Sequence, residues 1–211
     1  MINEYIPLED APVYGGQPVR IEDIMEALTG NHPDADVTLV QRAYIHAASA
    51  HQGMVRRSGE PYLNHPLAVA GILCDMKLDV ASVAAGLLHD TIEDNPDVTY
   101  DDIAKKFGKD VANIVDGVTK LGKEGFNSPA ERKAANRRKL MLAAIADPRV
   151  MMVKLADRPH NMRTLNFMTE PKQWRIAWET RNFFIPWASG LNLPLLQGEL
   201  DKLCRLYLEA T

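Results

Sequence analysis

An all-α fold is predicted by three observations. Apolar residues recur at spacings of three and four along most of the chain. Helix start and stop signals bracket several of those segments. No segment alternates apolar and polar residues between hairpin turns, and no internal repeat is present.

Residues 1 to 20 hold Pro7, Pro12, Gly15, Gly16 and Pro18 and read as a loose N-terminal arm. VTLVQRAYIHAASAHQ places Val37, Val40, Ala43 or Tyr44, Ala47 and Ala48 on one helical face. HPLAVAGILCDM begins a helix at Pro66, where a missing N–H is harmless. DVASVAAGLLHDTIED reads as one buried helix driven into a charged end. In TYDDIAKKFG, Thr99 and Asp102 form a capping-box variant, and Gly108 stops the helix. KDVANIVDGVTKL is again helical, and LGKEGFNSP is a loop. Ser128, Pro129 and Glu131 then give an N-cap, a first-turn proline and a capping-box acid, opening a helix that runs to Asp147-Pro148. VMMVKLADR could be strand or buried helix, and its helical neighbours favour helix. A further helix starts at Pro171 and is interrupted at Pro186, and LPLLQGELDKLCRLYLEA closes the chain with helical spacing. The expected organisation is an arm over 1–20, a main domain over 21–170, and C-terminal helices over 171–211 packed on it or following it.

With 211 residues the chain can bury a sizeable core, and a net charge of -4 gives it no general drive toward DNA or a membrane surface. Cys74 and Cys204 are far apart and outside any CxxC pattern, against a disulfide framework or a zinc-thiolate site. The N-terminus has no signal-peptide pattern, and no apolar stretch reaches membrane-spanning length. A cytoplasmic protein is the default expectation. Oligomeric state is open.

The chemistry concentrates in GLLHDTIED, where His89, Asp90, Glu93 and Asp94 fall within six positions. On one continuous helix, His89 and Glu93 lie one turn apart, as do Asp90 and Asp94. A solvated helix end is the plain reading. Against it, acids at a helix C-terminus oppose the macrodipole, and a divalent cation would remove the conflict. Further ligands are available in RRSGEPYLNHP, with His65, and in KLADRPHNMRTL, where Asp157 follows an apolar run. A carboxylate entering the core from such a run is costly unless paired or metal-bound. Two histidines and two aspartates suit Mn²⁺, Fe or Zn better than Ca²⁺. Spacing alone does not exclude His51 as a ligand.

RRSGEPYLNHPLAVAGIL, AAGLLHDTIEDNPDVTYDDIAKKFGKDVANIVDGVTKL and VMMVKLADRPHNMRTL together resemble the hydrolase domain of the RelA/SpoT family. The likeness spans roughly residues 37 to 170, in order, and the closing segment resembles the helices that follow this domain in long bifunctional members. It implies a compact multi-helix HD-superfamily domain. It also implies metal-dependent removal of the 3′-pyrophosphate of ppGpp and pppGpp, with Mn²⁺ the expected cation. Position by position, the resemblance puts the metal ligands on His65, His89, Asp90 and Asp157, and the catalytic acidic pair on Glu93 and Asp94. It puts the basic substrate loop on Arg56, Arg57 and Ser58, and nucleoside contacts on Asn161 and Thr164. It favours His65 over His51 as the ligand and makes His51 a core or supporting histidine. Three features depart from the common pattern: Asn95-Pro96 after the acidic pair, Pro159 between Arg158 and His160, and the N-terminal arm. A proline at 159 is expected to bend the backbone that presents Asn161.

Two other functions stay open: an HD phosphohydrolase acting on another nucleotide such as ppApp or NADPH, and a regulatory module that binds alarmone without turnover. The intact acidic pair argues against the second. Of the remaining residues, His46 reads as structural and His160 as a neighbour of the site. The run Arg137, Arg138, Lys139 reads first as a solvated helix face and second as a phosphate contact. Trp174, Trp178 and Trp187 are expected in the core, with Met151 and Met152 as filler.

Overall fold

The computed structural model describes residues 19–209. Helices α1 (Ile21–Asn31), α2 (Val37–Ala50), α3 (Asn64–Asp75), α4 (Val80–Leu88) and the single turn α5 (Thr91–Asp94) build the first half. Helices α6 (Tyr100–Phe107), α7 (Lys109–Val118), α8 (Pro129–Ala146) and α9 (Pro148–Arg163) follow, then α10 (Glu170–Glu179), α11 (Ile185–Gly190) and α12 (Pro194–Leu208). Among the described residues, β pairing is confined to one isolated bridge, Val55 with Pro61. The all-α expectation holds, and VMMVKLADR is helix, within α9. Also among the described residues, no helix is long and apolar enough to cross a membrane.

Helix α4 is the centre of the fold. Every residue from Ser82 to Leu88 is buried, and α2, α3, α7 and α9 pack around it. Its approach to α3 depends on Gly86, where a Cβ would stand 2.5 Å from Leu73 Cδ1. Gly117 serves the α7–α9 contact in the same way, since a Cβ there would meet Val150 Cγ2 at 2.8 Å. These contacts bring the ends of α3, α4 and α9 together. The N-terminus of α9 is fixed by Arg149, whose guanidinium binds Asp147 at 2.7 Å, Asp110 of α7 at 2.5 Å and Asp79, the N-cap of α4, at 2.9 Å. At its far end, Arg163 pairs with Glu199 of α12, both nearly inaccessible to solvent. One apolar cluster runs from Ile24 to Cys204 and includes Ala177, Phe184 and Leu196 of the C-terminal helices.

The predicted caps at Thr99, Gly108 and Ser128 are present. Three features differ from the sequence expectation, and the expected arm lies mostly outside the described residues. Helix α1 was not anticipated, although Ile21, Ile24 and Leu28 have helical spacing; Ile24 and Leu28 are buried. Of the expected arm, residues 1–18 lie outside the described residues; Val19 packs against Gly71, and Arg20 caps α1. Pro186 does not interrupt the chain: a π-turn, Thr180–Phe184, carries α10 into α11, and the proline occupies the first turn of the latter, where no N–H is needed. Trp174 and Trp178 are 54% and 45% exposed rather than core, stacked on each other along α10, whereas Trp187 packs on the core. Met151 is buried, as expected.

Candidate functional site

GLLHDTIED is not one helix. The α4 helix stops at Leu88 because two side chains capture its last carbonyls: His89 Nδ1 lies 2.8 Å from the Gly86 oxygen, and Thr91 Oγ1 donates to the Leu88 oxygen at 2.7 Å. Asp90 then N-caps α5, so Glu93 and Asp94 sit in the first turn of a new helix. Glu93 and Asp94 are therefore no longer on the last turn of α4, and the macrodipole argument built on one continuous helix does not apply to them. The charge crowding remains, one layer deeper.

His65 enters at the start of α3, His89 at the end of α4, and Asp157 from the buried face of α9. Their ligand atoms lie within 4.8 Å of one another, a group that could hold a metal ion. His65 Nε2 is 3.1 Å from Asp157 Oδ1, and His89 Nε2 is 3.8 Å from the same oxygen. Asp90 Oδ2 adjoins this group, 3.2 Å from His89 Nε2 and 3.6 Å from His65 Nε2.

The hydrogen bonds turn the Nε2 edges of both rings inward. Burial disfavours charge on His89, but Asp90 and then Asp157 outweigh it and hold the ring above the usual histidine range. The Gly86 carbonyl only accepts, so Nδ1 keeps its hydrogen and the edge turned to the carboxylates is Nε2. That nitrogen is buried with no hydrogen-bond partner among the described residues. His65 Nδ1 lies 3.1 Å from His160 Nδ1, which also receives Arg56 at 2.9 Å. His160 can accept both only as a neutral ring protonated on Nε2, so His65 too donates from Nδ1 and points Nε2 at Asp157. Burial, and then the neighbouring His65 and Arg56, hold His160 well below the usual histidine range, which keeps it neutral. Burial raises the cost of charge on Asp90, yet His89 and His65 outweigh it and hold the carboxyl far below the ordinary range. For Asp157 burial is likewise outweighed, chiefly by Lys154 and then His65. Two ionised carboxylates, Asp157 buried and Asp90 partly so, facing two imidazole Nε2 edges fit a divalent cation, and the absence of thiolates fits a hard or borderline one.

Around this group stand several predicted residues. Arg56 donates to Asn161 Oδ1 at 2.7 Å, and Asn161 donates in turn to Asp157 Oδ1. The turn that presents Arg56 closes at Gly59, whose φ of +87° only glycine adopts freely. Pro159 is carried within α9, which runs on to Arg163, so Asn161 is presented from a continuous helix. Glu93 pairs with Lys120 at 2.7 Å, and Asp94 Oδ2 lies 3.7 Å from His51 Nε2. Three predicted residues are not drawn into the cluster. Arg57 is exposed, Ser58 bonds Glu60, and Thr164 bonds the last carbonyls of α9.

Sequence reasoning missed Tyr62, Lys154 and Lys120. Tyr62 donates to Asp90 Oδ2 at 3.0 Å. Lys154, 3.4 Å from Asp157 Oδ2, had a readable signal: a lysine inside an apolar run needs a counter-charge nearby, here three residues on. Lys120 had none. Arg137 and Lys139 are engaged by Glu179 and Asp116, while Arg138 is exposed. A cleft of about 300 Å³ beside the site is lined by Lys120, Lys154, Arg132, Lys133 and Arg175, with Glu179 as an acid among them.

The sequence pattern described as HD domain matches residues 43–193. The chain belongs to the HD domain family. It is 50% identical to a GTP pyrophosphokinase of Myxococcus xanthus over 181 residues, 84% of this chain and 24% of that protein. It is 47% identical to the bifunctional (p)ppGpp synthase/hydrolase SpoT of Escherichia coli (strain K12) over 171 residues, 81% of this chain and 24% of that protein. This HD domain chain therefore spans about a quarter of the length of these curated relatives. A solved chain, reported as a metazoan ortholog of SpoT that hydrolyzes ppGpp and plays a role in starvation responses, superposes with a TM-score of 0.58 at 28% identity, covering 80% of this chain and 94% of that one. The resemblance read from the three sequence segments is borne out.

Proposed function

We propose that this chain is a metal-dependent hydrolase that removes the 3′-pyrophosphate of ppGpp and pppGpp, giving GDP or GTP and pyrophosphate. One observation carries the reading. Two imidazole Nε2 atoms, each with a hydrogen-bonded Nδ1 on the opposite ring edge, converge on Asp157 in a chain similar to SpoT. The likeness to a solved ppGpp hydrolase along nearly its whole length supports it.

In this reading His65, His89, Asp90 and Asp157 hold the cation, with Mn²⁺ the preferred ion. A divalent cation supplies Lewis-acid activation of water and of the phosphoryl oxygen. The protein's own groups do the rest. Glu93 and Asp94 orient the attacking water and take its proton. Water oxygen bonds to the phosphorus on the ribose 3′ oxygen, the bond from phosphorus to that oxygen breaks, and the proton ends on the 3′ hydroxyl. Arg56, Arg57 and Ser58 grip phosphate, the arginines in forked geometry. Asn161 and Thr164 contact the nucleoside. The basic cleft with Lys120 offers an acidic chain the local positive charge a polyphosphate needs. Free, buried Cys74 and Cys204 agree with a cytoplasmic location.

The test is turnover by Mn²⁺-loaded protein of ppGpp, ppApp and NADPH in parallel. The reading expects ppGpp to be consumed fastest. Turnover of none sinks the hydrolase reading and favours a binding module; preference for NADPH or ppApp moves the activity to another nucleotide.

A further inference from the structure

Glu93 and Asp94 are neighbours in sequence with different partners in space. Lys120 engages Glu93 at 2.7 Å. Asp94 faces a histidine that no feature of the proposed reaction yet uses. His51, at the end of α2, is 4% exposed, and its Nδ1 lies 2.9 Å from the Ala47 carbonyl. Because that carbonyl only accepts, Nδ1 carries hydrogen in every protonation state of the ring. Nε2 is then the working edge. It is buried, without a hydrogen-bond partner among the described residues, and 3.7 Å from Asp94 Oδ2. The ring plane is fixed by stacking on Tyr62, with centroids 4.6 Å apart and planes 16° apart. Tyr62 in turn is tied to Asp90 through its hydroxyl.

His51 thus repeats the arrangement of His89: Nδ1 anchored to a carbonyl of its own helix, Nε2 turned toward a carboxylate of the site. Leaving Nε2 buried without a hydrogen-bond partner is costly, and unlike His46 this nitrogen has a carboxylate of the site beside it. Nor does its Nε2 join the convergent group of His65, His89 and Asp157 that could hold a metal ion; it faces Asp94 instead.

We propose that His51 is a positioning residue for the reaction. When a proton lies between Nε2 and Asp94 Oδ2, 3.7 Å apart, the ring holds that carboxyl in place for proton handling, while Glu93 is engaged by Lys120. The proposal rests on the hydrolase reading above.

Two substitutions separate positioning from packing. His51→Asn keeps a donor where Nδ1 meets the Ala47 carbonyl and deletes the Nε2 position; His51→Gln places a polar atom near Nε2. In the Mn²⁺-loaded chain with ppGpp, His51→Asn lowers kcat about 10- to 100-fold, the scale of a misplaced catalytic group, with KM and metal content unchanged. His51→Gln restores most of kcat. Side-chain ¹⁵N NMR supplies a readout that needs no turnover: the His51 Nε2 resonance moves in Asp94→Asn. Wild-type kcat in His51→Asn, equal losses in both variants, loss of metal from His51→Asn, or an unmoved Nε2 resonance each overturns the proposal. Absence of turnover in the wild type overturns the hydrolase reading instead, and the NMR result still decides the His51–Asp94 contact.

Discussion

His65 and Asp157 meet across the α3–α9 contact, Nε2 to Oδ1, at 3.1 Å. Asp157 is thereby the acid that closes a group otherwise made of residues from α3 and the α4–α5 break. Asp157→Ala is expected to abolish metal binding, measured as metal content after dialysis. In the wild type, Mn²⁺ at a hundredfold over its Kd stabilises by about 2.7 kcal/mol, which raises Tm by about 5–10 °C for a chain of this size. The variant shows no such rise. Unchanged metal content in Asp157→Ala would show that the ligand set is wrong.

Gly86 both admits α3 and supplies the carbonyl that sets the tautomer of His89. Gly86→Ala presses on Leu73 and is expected to cost about 1–3 kcal/mol in urea unfolding. Because His89 turns with the displaced carbonyl, metal affinity falls as well. A destabilised variant with wild-type affinity would uncouple the two roles.

Arg149 gathers Asp79, Asp110 and Asp147 at one corner of the bundle. Its hydrogen bonds hold Asp147 below the ordinary carboxylate range; for Asp79 burial pushes the other way and is outweighed by Ser82 and Arg149. A carboxyl depressed in the folded state stabilises fully above its unfolded value of about 4 and loses that contribution as pH falls through the folded value. Arg149→Met is expected to cost about 1 kcal/mol at neutral pH, the partly exposed pairs being screened. The difference from wild type shrinks below about pH 4. Melts across that range check it; a constant difference would contradict the assignment.

The helices were legible where caps and spacing agreed, as at Thr99–Gly108 and Ser128–Pro129, because both signals are local. The break at His89 was not. It arises from His89 and Thr91 turning back onto carbonyls of α4, a choice a continuous helical pattern does not display. His65 and Asp157 were candidates from their segments, Asp157 because it follows an apolar run, and the family resemblance fixed them as ligands; spacing alone did not exclude His51. Three-dimensional position separates them, since His65 faces Asp157 and His51 faces Asp94. Lys120 and Tyr62 reach the site by long-range packing, to which single-sequence periodicity is blind.

Both cysteines are buried, and burial pushes their thiols up, Cys74 to about 12 and Cys204 to about 11. The thiolate is the reactive form, so neither is expected to react with a disulfide reagent in the native protein at neutral pH. Both should titrate in denaturant. Rapid labelling of the native chain would show that α3 or α12 opens.

The central claim is tested most directly by identifying the phosphorus products of ppGpp incubated with Mn²⁺-loaded protein, by ³¹P NMR or ion chromatography. Intact pyrophosphate in equal amount to GDP is the expected result; orthophosphate released singly, or no product at all, would contradict it.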